Sequence, residues 1–405
     1  MIHHYEHNPS IWIKDEQIAL ISNAITKIGK GETISLIKDI WVKYIDLPEK
    51  HSQLEFINQG FSNTVVLKMY IGEVKGKKFF SKKSFILKIG KFDDVSQEIN
   101  NYRNLINYRK NCQFPELVGT SDLLERWGCI LYEDIGASVT FFDFYNKTND
   151  LNCLKEVINN IFVTNEETWY KDGFISSCNL LKDQFNLIQS LPKYRNANKL
   201  IGPDIHNKSK IIVSISGNEY TLTNPIEFLV NNCDGERVTT HLSIVHGDFH
   251  SGNILIDELN KKIHLVDFAN MQSDGHIFKD YVKLEANLLL MLYEYDHAED
   301  IYEPEKYWFE LAAYLLGITT KEGDWNSETI KVLTSIKTIR KRACDLKENF
   351  YHSNSWQSEY LIGLLHWVLS SIYWIDVRPC KKRFAFYYAA MICTVLESKK
   401  ILIKK

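Results

Sequence analysis

What the chain has little of narrows the field first. Its eight cysteines, at positions 112, 129, 153, 178, 233, 344, 380 and 393, are scattered and form no C-x-x-C pair. That pattern argues against a disulfide framework or a zinc ribbon and reads as free thiols in a reducing, cytoplasmic setting. Charge of one sign is also missing. The 48 Lys and Arg against 51 Asp and Glu leave a formal net charge of -3. Nothing in that balance calls for nucleic acid or an anionic membrane as a partner. No apolar run reaches the ~18–20 residues of a bilayer span. The most apolar stretches, 360–375 and 384–396, are shorter, and His366 interrupts the first. Both read as core helices. The start, MIHHYEHNPS, lacks the layout of a signal peptide, and no internal repeat is visible. What remains is a chain of 405 residues with 45% hydrophobic content, enough to bury a large core in two or three lobes.

The chemistry concentrates in residues 242–270, LSIVHGDFHSGNILIDELNKKIHLVDFAN. Ile244 and Val245 end a short apolar run that suits a buried strand. His246, Gly247, Asp248, Phe249 and His250 form a tight loop, and Asn253 follows Asp248 by five residues. Ile254 to Ile256 and Ile263 to Val266 are two further short strands around a polar turn, and the second delivers Asp267 at its end. An acid and an amide thus share one loop, and a hairpin returns a second acid. Such a set suits Mg²⁺-dependent phosphoryl transfer, where a carboxylate orients an acceptor hydroxyl and hard oxygen ligands hold the metal on a triphosphate. His246, Asp248 and His250 also alternate, which leaves a metal-hydrolase reading open. A zinc site of that kind wants a third nitrogen or sulfur ligand at close spacing, and none stands nearby.

HGDFHSGN at 246–253 followed by VDF at 266–268 resembles the catalytic loop H-G-D-x-H-x-x-N and the metal-binding Asp of the aminoglycoside phosphotransferase and choline-kinase-like branch of the protein-kinase-like superfamily. The resemblance implies Asp248 as catalytic base, Asn253 and Asp267 as Mg²⁺ ligands, and ATP as phosphoryl donor. It makes His246 an anchor of the loop and His250 a contact to phosphate or acceptor. Asp280 resembles the family's structural Asp that ties the following helix to the catalytic loop. After Asp267 comes Phe268-Ala269-Asn270, not the Phe-Gly of D-F-G, which argues against a protein-kinase activation loop. The D-x-x-x-L-E version at 280–285 looks closest to a little-characterised group of kinase-like domains in bacterial conflict and signalling proteins.

Upstream, Ile18, Ile21, Ile25 and Ile28 recur at helical spacing and end at Gly29 and Gly31, and a second helix is expected over 33–44. Residues 1–50 thus read as a helical extension packed on the next lobe. Residues 51–134 read as strands around one helix. The turn holding Gly60, Ser62 and Asn63 resembles the family's loop over the ATP phosphates, where backbone N–H groups cradle anionic oxygens. Lys88 lies in the apolar strand FILKIG, where an unpaired charge is costly. Val95, Glu98, Tyr102 and Leu105 share one face of the helix that follows. Two charges on inward faces each want a partner, and pairing Lys88 with Glu98 is the simplest account. The resemblance gives that pair the α- and β-phosphates. It also makes the segment after the strand GCILYE a hinge between lobes, with backbone groups near Glu133 and Ile135 meeting adenine.

Residues 135–405 read as the larger lobe. Helices are expected over 141–145, 154–162 and 174–191, a hairpin at 211–222, and a helix started by Asn224-Pro225-Ile226-Glu227. Residues 195–240 read as an insertion that buttresses the lobe. The acidic residues Glu294, Asp296, Glu299, Asp300, Glu303, Glu305 and Glu310 correspond by resemblance to the wall that holds cationic sugars, against the simpler reading of a solvated loop. Lys337, Arg340, Lys341 and Arg342 read as a solvated helix face. The expected fold is α+β and bilobal, protein-kinase-like, with a small mixed α/β N-lobe and a mostly helical C-lobe. The implied function is ATP- and Mg²⁺-dependent transfer of the γ-phosphoryl group to a hydroxyl of a small molecule. A protein acceptor, or a nucleotide-binding pseudokinase without chemistry, are the alternatives.

Overall fold

A computed structural model of the chain describes residues 11–12, 30–45, 51–59, 64–75, 78–106, 114–124, 126–136, 138–196, 208–215, 217–235, 237–293, 304–320, 323, 325–350, 356–374 and 376–399. The expected helix over 18–28, the turn holding Gly60, Ser62 and Asn63, and most of the acidic stretch from Glu294 to Glu303 lie outside them. The fold is α+β and divides into two units. One comprises residues 1–138 with 257–271, the other 139–256 with 272–405.

The first unit is built on a six-stranded sheet. Its strands are β1 (Ile11–Trp12), β2 (His51–Gln59), β3 (Val65–Lys75), β4 (Lys78–Lys91), β5 (Leu117–Leu124) and β6 (Trp127–Glu133), in the order β1-β2-β3-β4-β6-β5. All neighbours pair antiparallel except β1 with β2. Period-2 burial follows from the pleat, which sends alternate side chains to one face. Leu67 and Met69 of β3, Leu87 and Ile89 of β4, and Cys129 and Leu131 of β6 are fully buried in one cluster. Helix α1 (Lys30–Tyr44) lays Leu36, Ile37 and Ile40 into that cluster, the inward face of an amphipathic helix. Helix α2 (Phe92–Asn101) follows β4 directly. Its buried face holds Val95 and Glu98 as expected, but not Leu105. The chain widens into a π-type turn over Tyr102–Ile106, and the extra residue brings Ile106 inward while Leu105 stays half-buried.

The second unit is mostly helical. Helix α3 (Phe141–Lys147) starts at Thr140, whose hydroxyl accepts the Asp143 N–H. Helix α4 (Leu151–Thr168) is capped by the Asp150 carboxylate on the N–H groups of Asn152 and Cys153. The expected helix over 174–191 is not there. Phe174–Cys178 is a strand, β7, and a π-type turn follows over Leu180–Gln184. Phe174 and Ile175 are more than half or half exposed, so this apolar run was not a helix's inward face. A short apolar run cannot be assigned by periodicity alone, and here Asn179 caps a new turn and Asn186 at φ 49° breaks any continuation. The hairpin is present as β8 (Lys210–Ile215) and β9 (Asn218–Thr223), turning at Gly217 with φ 77°. Helix α5 (Pro225–Asn231) is capped by Asn224, with Pro225 in the first turn. The Asn224 N–H goes to the Ser209 carbonyl, so Glu227 does not close a capping box.

Strand β10 (Val238–Val245) lies between β7 and β11 (Gln272–His276) in a three-stranded antiparallel sheet. Helix α6 (Lys279–Asn287) is buried along its whole length. Helices α7 (Pro304–Leu315), α8 (Ser327–Phe350), α9 (Trp356–Ser371) and α10 (Pro379–Lys399) complete the unit. Among the described residues no helix is long and apolar enough to cross a membrane. In the basic run on α8, Lys337 and Lys341 are exposed as expected, but the two arginines depart from the solvated role. The Arg340 Nε lies 2.9 Å from Glu285 Oε2, on a carboxylate that is fully buried and also takes the Tyr360 hydroxyl at 2.6 Å. Arg342 likewise turns inward, to Glu166. Each arginine answers an acid that its own helix does not carry, which a local charge pattern cannot reveal.

Removing one partner of a buried pair strands the other. Arg340→Met is therefore expected to lower the unfolding free energy by about 3–5 kcal/mol in urea denaturation. The double variant Arg340→Met/Glu285→Leu should recover more than half of that loss. A single-variant loss below about 1 kcal/mol, the range of exposed pairs, would contradict the pairing.

Candidate functional site

Two constellations of polar side chains stand out, one in each unit. In the first, Lys88 sits on β4 between Leu87 and Ile89, so the pleat turns it to the face opposite the apolar cluster. Its Nζ lies 2.7 Å from Glu98 Oε2 and 2.9 Å from Asp267 Oδ1. Lys88 and Glu98 are almost fully buried, while the Asp267 carboxylate is 31% exposed. Burial opposes the lysine's charge, but Glu98 and Asp267 outweigh it and hold the ammonium well above its ordinary pKa. Burial raises the pKa of Glu98, against the pull of Lys88. The second Glu98 oxygen accepts the Tyr132 hydroxyl at 2.9 Å.

Asp267 is held in place by its surroundings. Its φ of 68° is left-handed, a conformation that Asp tolerates better than most residues and that turns the chain out of the strand Lys262–Leu265. Asn101, one turn beyond Glu98 on α2, donates its amide to the carbonyls of Phe268 at 2.8 Å and Ala269 at 3.0 Å. The Phe268 ring is buried against Tyr102 and Phe114. One helix therefore carries both the acid that meets Lys88 and the amide that fixes the turn after Asp267. At the end of β6, the N–H of Glu133 is bonded to the Glu116 carbonyl and that of Asp134 to the Ser84 carbonyl. The Asp134 side chain accepts from Ser84, Lys68 and the Gly136 N–H. These bonds fix the backbone path from Glu133 through Ile135.

The second constellation hangs from α6. Both oxygens of the buried Asp280 are committed to the backbone of the loop after β10. Oδ2 accepts the His246 N–H and Oδ1 the Gly247 N–H, each at 2.9 Å. The Tyr170 hydroxyl adds a third bond at 3.0 Å. Gly247 takes φ 80°, which a side chain would resist. The His246 ring is fully buried beside Trp169 and Phe249, so it serves the core. Asn253 donates its amide to the Asp248 carbonyl at 2.9 Å, which directs its amide oxygen elsewhere. His250 Nδ1 accepts the Gly252 N–H at 3.1 Å, so a neutral ring carries its proton on Nε2, 3.8 Å from Asp248 Oδ2.

Lys283, which sequence reasoning passed over, completes this group. Its Nζ lies 3.0 Å from Asp248 Oδ1 and sits over the rings of Trp367 and Trp374, 3.7 and 4.7 Å from their centroids. Burial alone would raise the Asp248 pKa, but Lys283 and then His250 reverse that and hold it below the ordinary carboxylate range. Burial in turn pulls the Lys283 ammonium down, against the attraction of Asp248. The sequence signal for Lys283 was slight: a lysine one turn after Asp280, on a helix that proves wholly buried.

In the first unit Asp267 offers a carboxylate and in the second Asn253 an amide oxygen, each a hard donor of the kind that Mg²⁺ takes. The donor chemistry therefore fits the implied metal. Among the described residues no three His, Cys, Asp or Glu side chains come together as ligands. A cavity of about 1490 Å³ in the second unit, lined by residues including Tyr220, Phe309, Trp325 and Tyr360, holds none of the sequence-predicted site residues.

With this geometry in view, the chain can be set beside known proteins. The family model Ternary complex associated domain 9 matches residues 197–371. No curated protein matches the sequence. Among solved structures, aminoglycoside phosphotransferase APH(4)-Ia is similar with a TM-score of 0.46 and 10% identity, covering 90% of this chain and 99% of that one. A thermostable mutant of it in a ternary complex with ADP and hygromycin B gives 0.45 and 11%, over 89% and 98%. An ethanolamine kinase of Plasmodium vivax gives 0.40 and 10%, over 96% and 97%.

Glu98 is the buried end of the Lys88 pair, so Glu98→Leu leaves both Lys88 and the Tyr132 hydroxyl short of an acceptor. The expected loss of stability is about 3 kcal/mol in chemical denaturation. A change within about 0.5 kcal/mol, as for an ordinary surface position, would contradict the burial of the pair.

Proposed function

We propose that the protein is an ATP- and Mg²⁺-dependent phosphotransferase that moves the γ-phosphoryl group to a hydroxyl of a small molecule. The observation that carries this reading is the Lys88–Glu98–Asp267 triad, a lysine fixed between two carboxylates of which only one is accessible. Lys88 neutralises phosphate charge, Glu98 positions it, and Asp267 offers a metal ligand. The Mg²⁺, when bound, neutralises charge on the phosphates. Gly60, Ser62 and Asn63 fit the same reading as a phosphate-covering turn, and the backbone at Glu133 and Ile135 as the contact to adenine.

Asp248 receives the acceptor. The bond from the γ-phosphorus to the β-bridging oxygen breaks, a new bond to the acceptor oxygen forms, ADP leaves, and the hydroxyl proton passes to Asp248 and on to solvent. A carboxylate held below its ordinary pKa by Lys283 is a weak base. Its part is then chiefly to orient the hydroxyl, which suits a loose transition state where the proton leaves late. Asn253 keeps the Asp248 carbonyl in place and presents its amide oxygen as a second metal ligand. His250 lies close enough to Asp248 to contact the acceptor or the transferred group. A protein acceptor is the second reading, disfavoured by the departure from D-F-G after Asp267.

The test is label transfer from γ-labelled ATP into a small-molecule extract, by wild type and Asp248→Asn. The variant is expected to lose about 10²–10⁴-fold in turnover, the span of general base catalysis, while its ATP affinity stays within about threefold. Wild-type turnover in Asp248→Asn would refute the assignment of the acceptor residue. Label found only in protein would favour the second reading.

A further inference from the structure

The surroundings of Asp248 carry more positive charge than a kinase of cationic amines or aminosugars would need. Lys279 and Lys283 lie one turn apart on α6, and each is 7% exposed. Lys283 is bonded to Asp248 and covered by Trp367 and Trp374. The Lys279 ammonium reaches Gln272 Oε1 at 2.7 Å and lies 5.8 Å from the Phe185 ring centroid. Lys193 lies over the Tyr373 ring at 4.6 Å. Lys283 and Lys193 thus lie over rings at the end of α9 and just beyond it, and Lys279 stands one turn before Lys283 on α6. Burial, then Lys279, Lys283 and Lys193, push the His366 imidazole down to about 3, so that ring is neutral at pH 7. His366 Nδ1 and the Trp367 indole N–H are both buried without a hydrogen-bond partner.

Opposing charge is scarce. Asp280 has both oxygens on backbone N–H groups, and Asp274 acts on Lys279 only through space. Asp248 is the acid that meets Lys283, and the proposed chemistry needs it for the acceptor hydroxyl. The balance is a surplus of hydrogen-bond donors: two buried ammoniums, the exposed Lys193 and an indole N–H, against the one carboxylate that meets Lys283. Buried ammoniums and orphaned donors are costly, and a ligand rich in acceptor oxygens removes that cost. Lysine suits such a ligand as a compact point charge.

We propose that the acceptor is an anion: a hydroxyl-bearing small molecule whose phosphate or carboxylate group is taken by Lys279, with Lys193 and the Trp367 N–H, while its hydroxyl lies on Asp248. This rests on the phosphotransferase reading and names its substrate class. It runs opposite to the cationic acceptor that an acidic wall would hold. Lys283 keeps Asp248 ionised and oriented, and Lys279 is the specificity residue.

The test separates a whole-cell metabolite extract by ion exchange before reaction. Each fraction is incubated with γ-labelled ATP, Mg²⁺ and the full chain. Acceptor activity is expected in the fraction held by an anion exchanger. Its loss after phosphatase treatment of that fraction would identify a phosphate, and its survival a carboxylate; both support the proposal. Activity confined to the neutral or cationic fractions would overturn it. No transfer in the unfractionated extract would overturn the phosphotransferase reading and this inference with it. With the active anionic fraction, Lys279→Met is expected to raise the apparent KM about tenfold or more with kcat within about threefold, the signature of lost uniform binding. Equal losses in kcat, or an unchanged KM with a folded variant, would also overturn the proposal. Lys279→Arg, which keeps the charge, should restore much of the KM.

Discussion

A buried ammonium on a β-strand is the constraint on which the first unit depends. Lys88 sits among fully buried neighbours, where an uncompensated charge would cost several kcal/mol. It is tolerated because α2 brings Glu98 and the turn after Lys262–Leu265 brings Asp267. Those two acids reach it only if α2 keeps its register and Asp267 keeps its left-handed backbone. Asn101 on the same helix face enforces both, by holding the Phe268 and Ala269 carbonyls. The elements that pair this buried charge are thus also the ones that fix its position.

The second unit solves a related problem by other means. Asp280 spends both oxygens on the backbone of His246 and Gly247, so the loop is hung from a buried helix by main-chain bonds. The following turn of that helix then presents Lys283 to Asp248. Loop shape and local charge come from one element, and Trp367 of α9 with Trp374 just beyond it shields the resulting ion pair from water. One architecture can host many functions, so the proposed acceptor is argued from these side chains.

Much of this was legible in the sequence where the signal is local. An apolar strand with one lysine, followed by a helix whose inward face carries one acid, called for the Lys88–Glu98 pair, and the pair is present. The hairpin at Gly217 and the Asn224 cap were legible for the same reason, while the tie from Asp280 was implied only by the resemblance. What failed depended on partners distant in the chain. Phe174–Cys178 is a strand because it pairs with Val238–Leu242, some sixty residues on. Arg340 looked solvated because Glu285 lies on another helix. Lys283 was overlooked because nothing near it in sequence predicts Asp248 as its neighbour. The widened turn over Tyr102–Ile106 shifted a helical face by one residue, which periodicity cannot anticipate.

The central claim is that the Lys88–Glu98–Asp267 triad serves a metal-bound nucleotide. Calorimetric titration with ATP, with and without Mg²⁺, on wild type and Asp267→Ala tests it most directly. The account predicts binding that requires Mg²⁺ and weakens by about tenfold or more in the variant, a loss of ~1.4 kcal/mol or greater. Absence of ATP binding by the wild type, or binding equal in both proteins and indifferent to Mg²⁺, would contradict it.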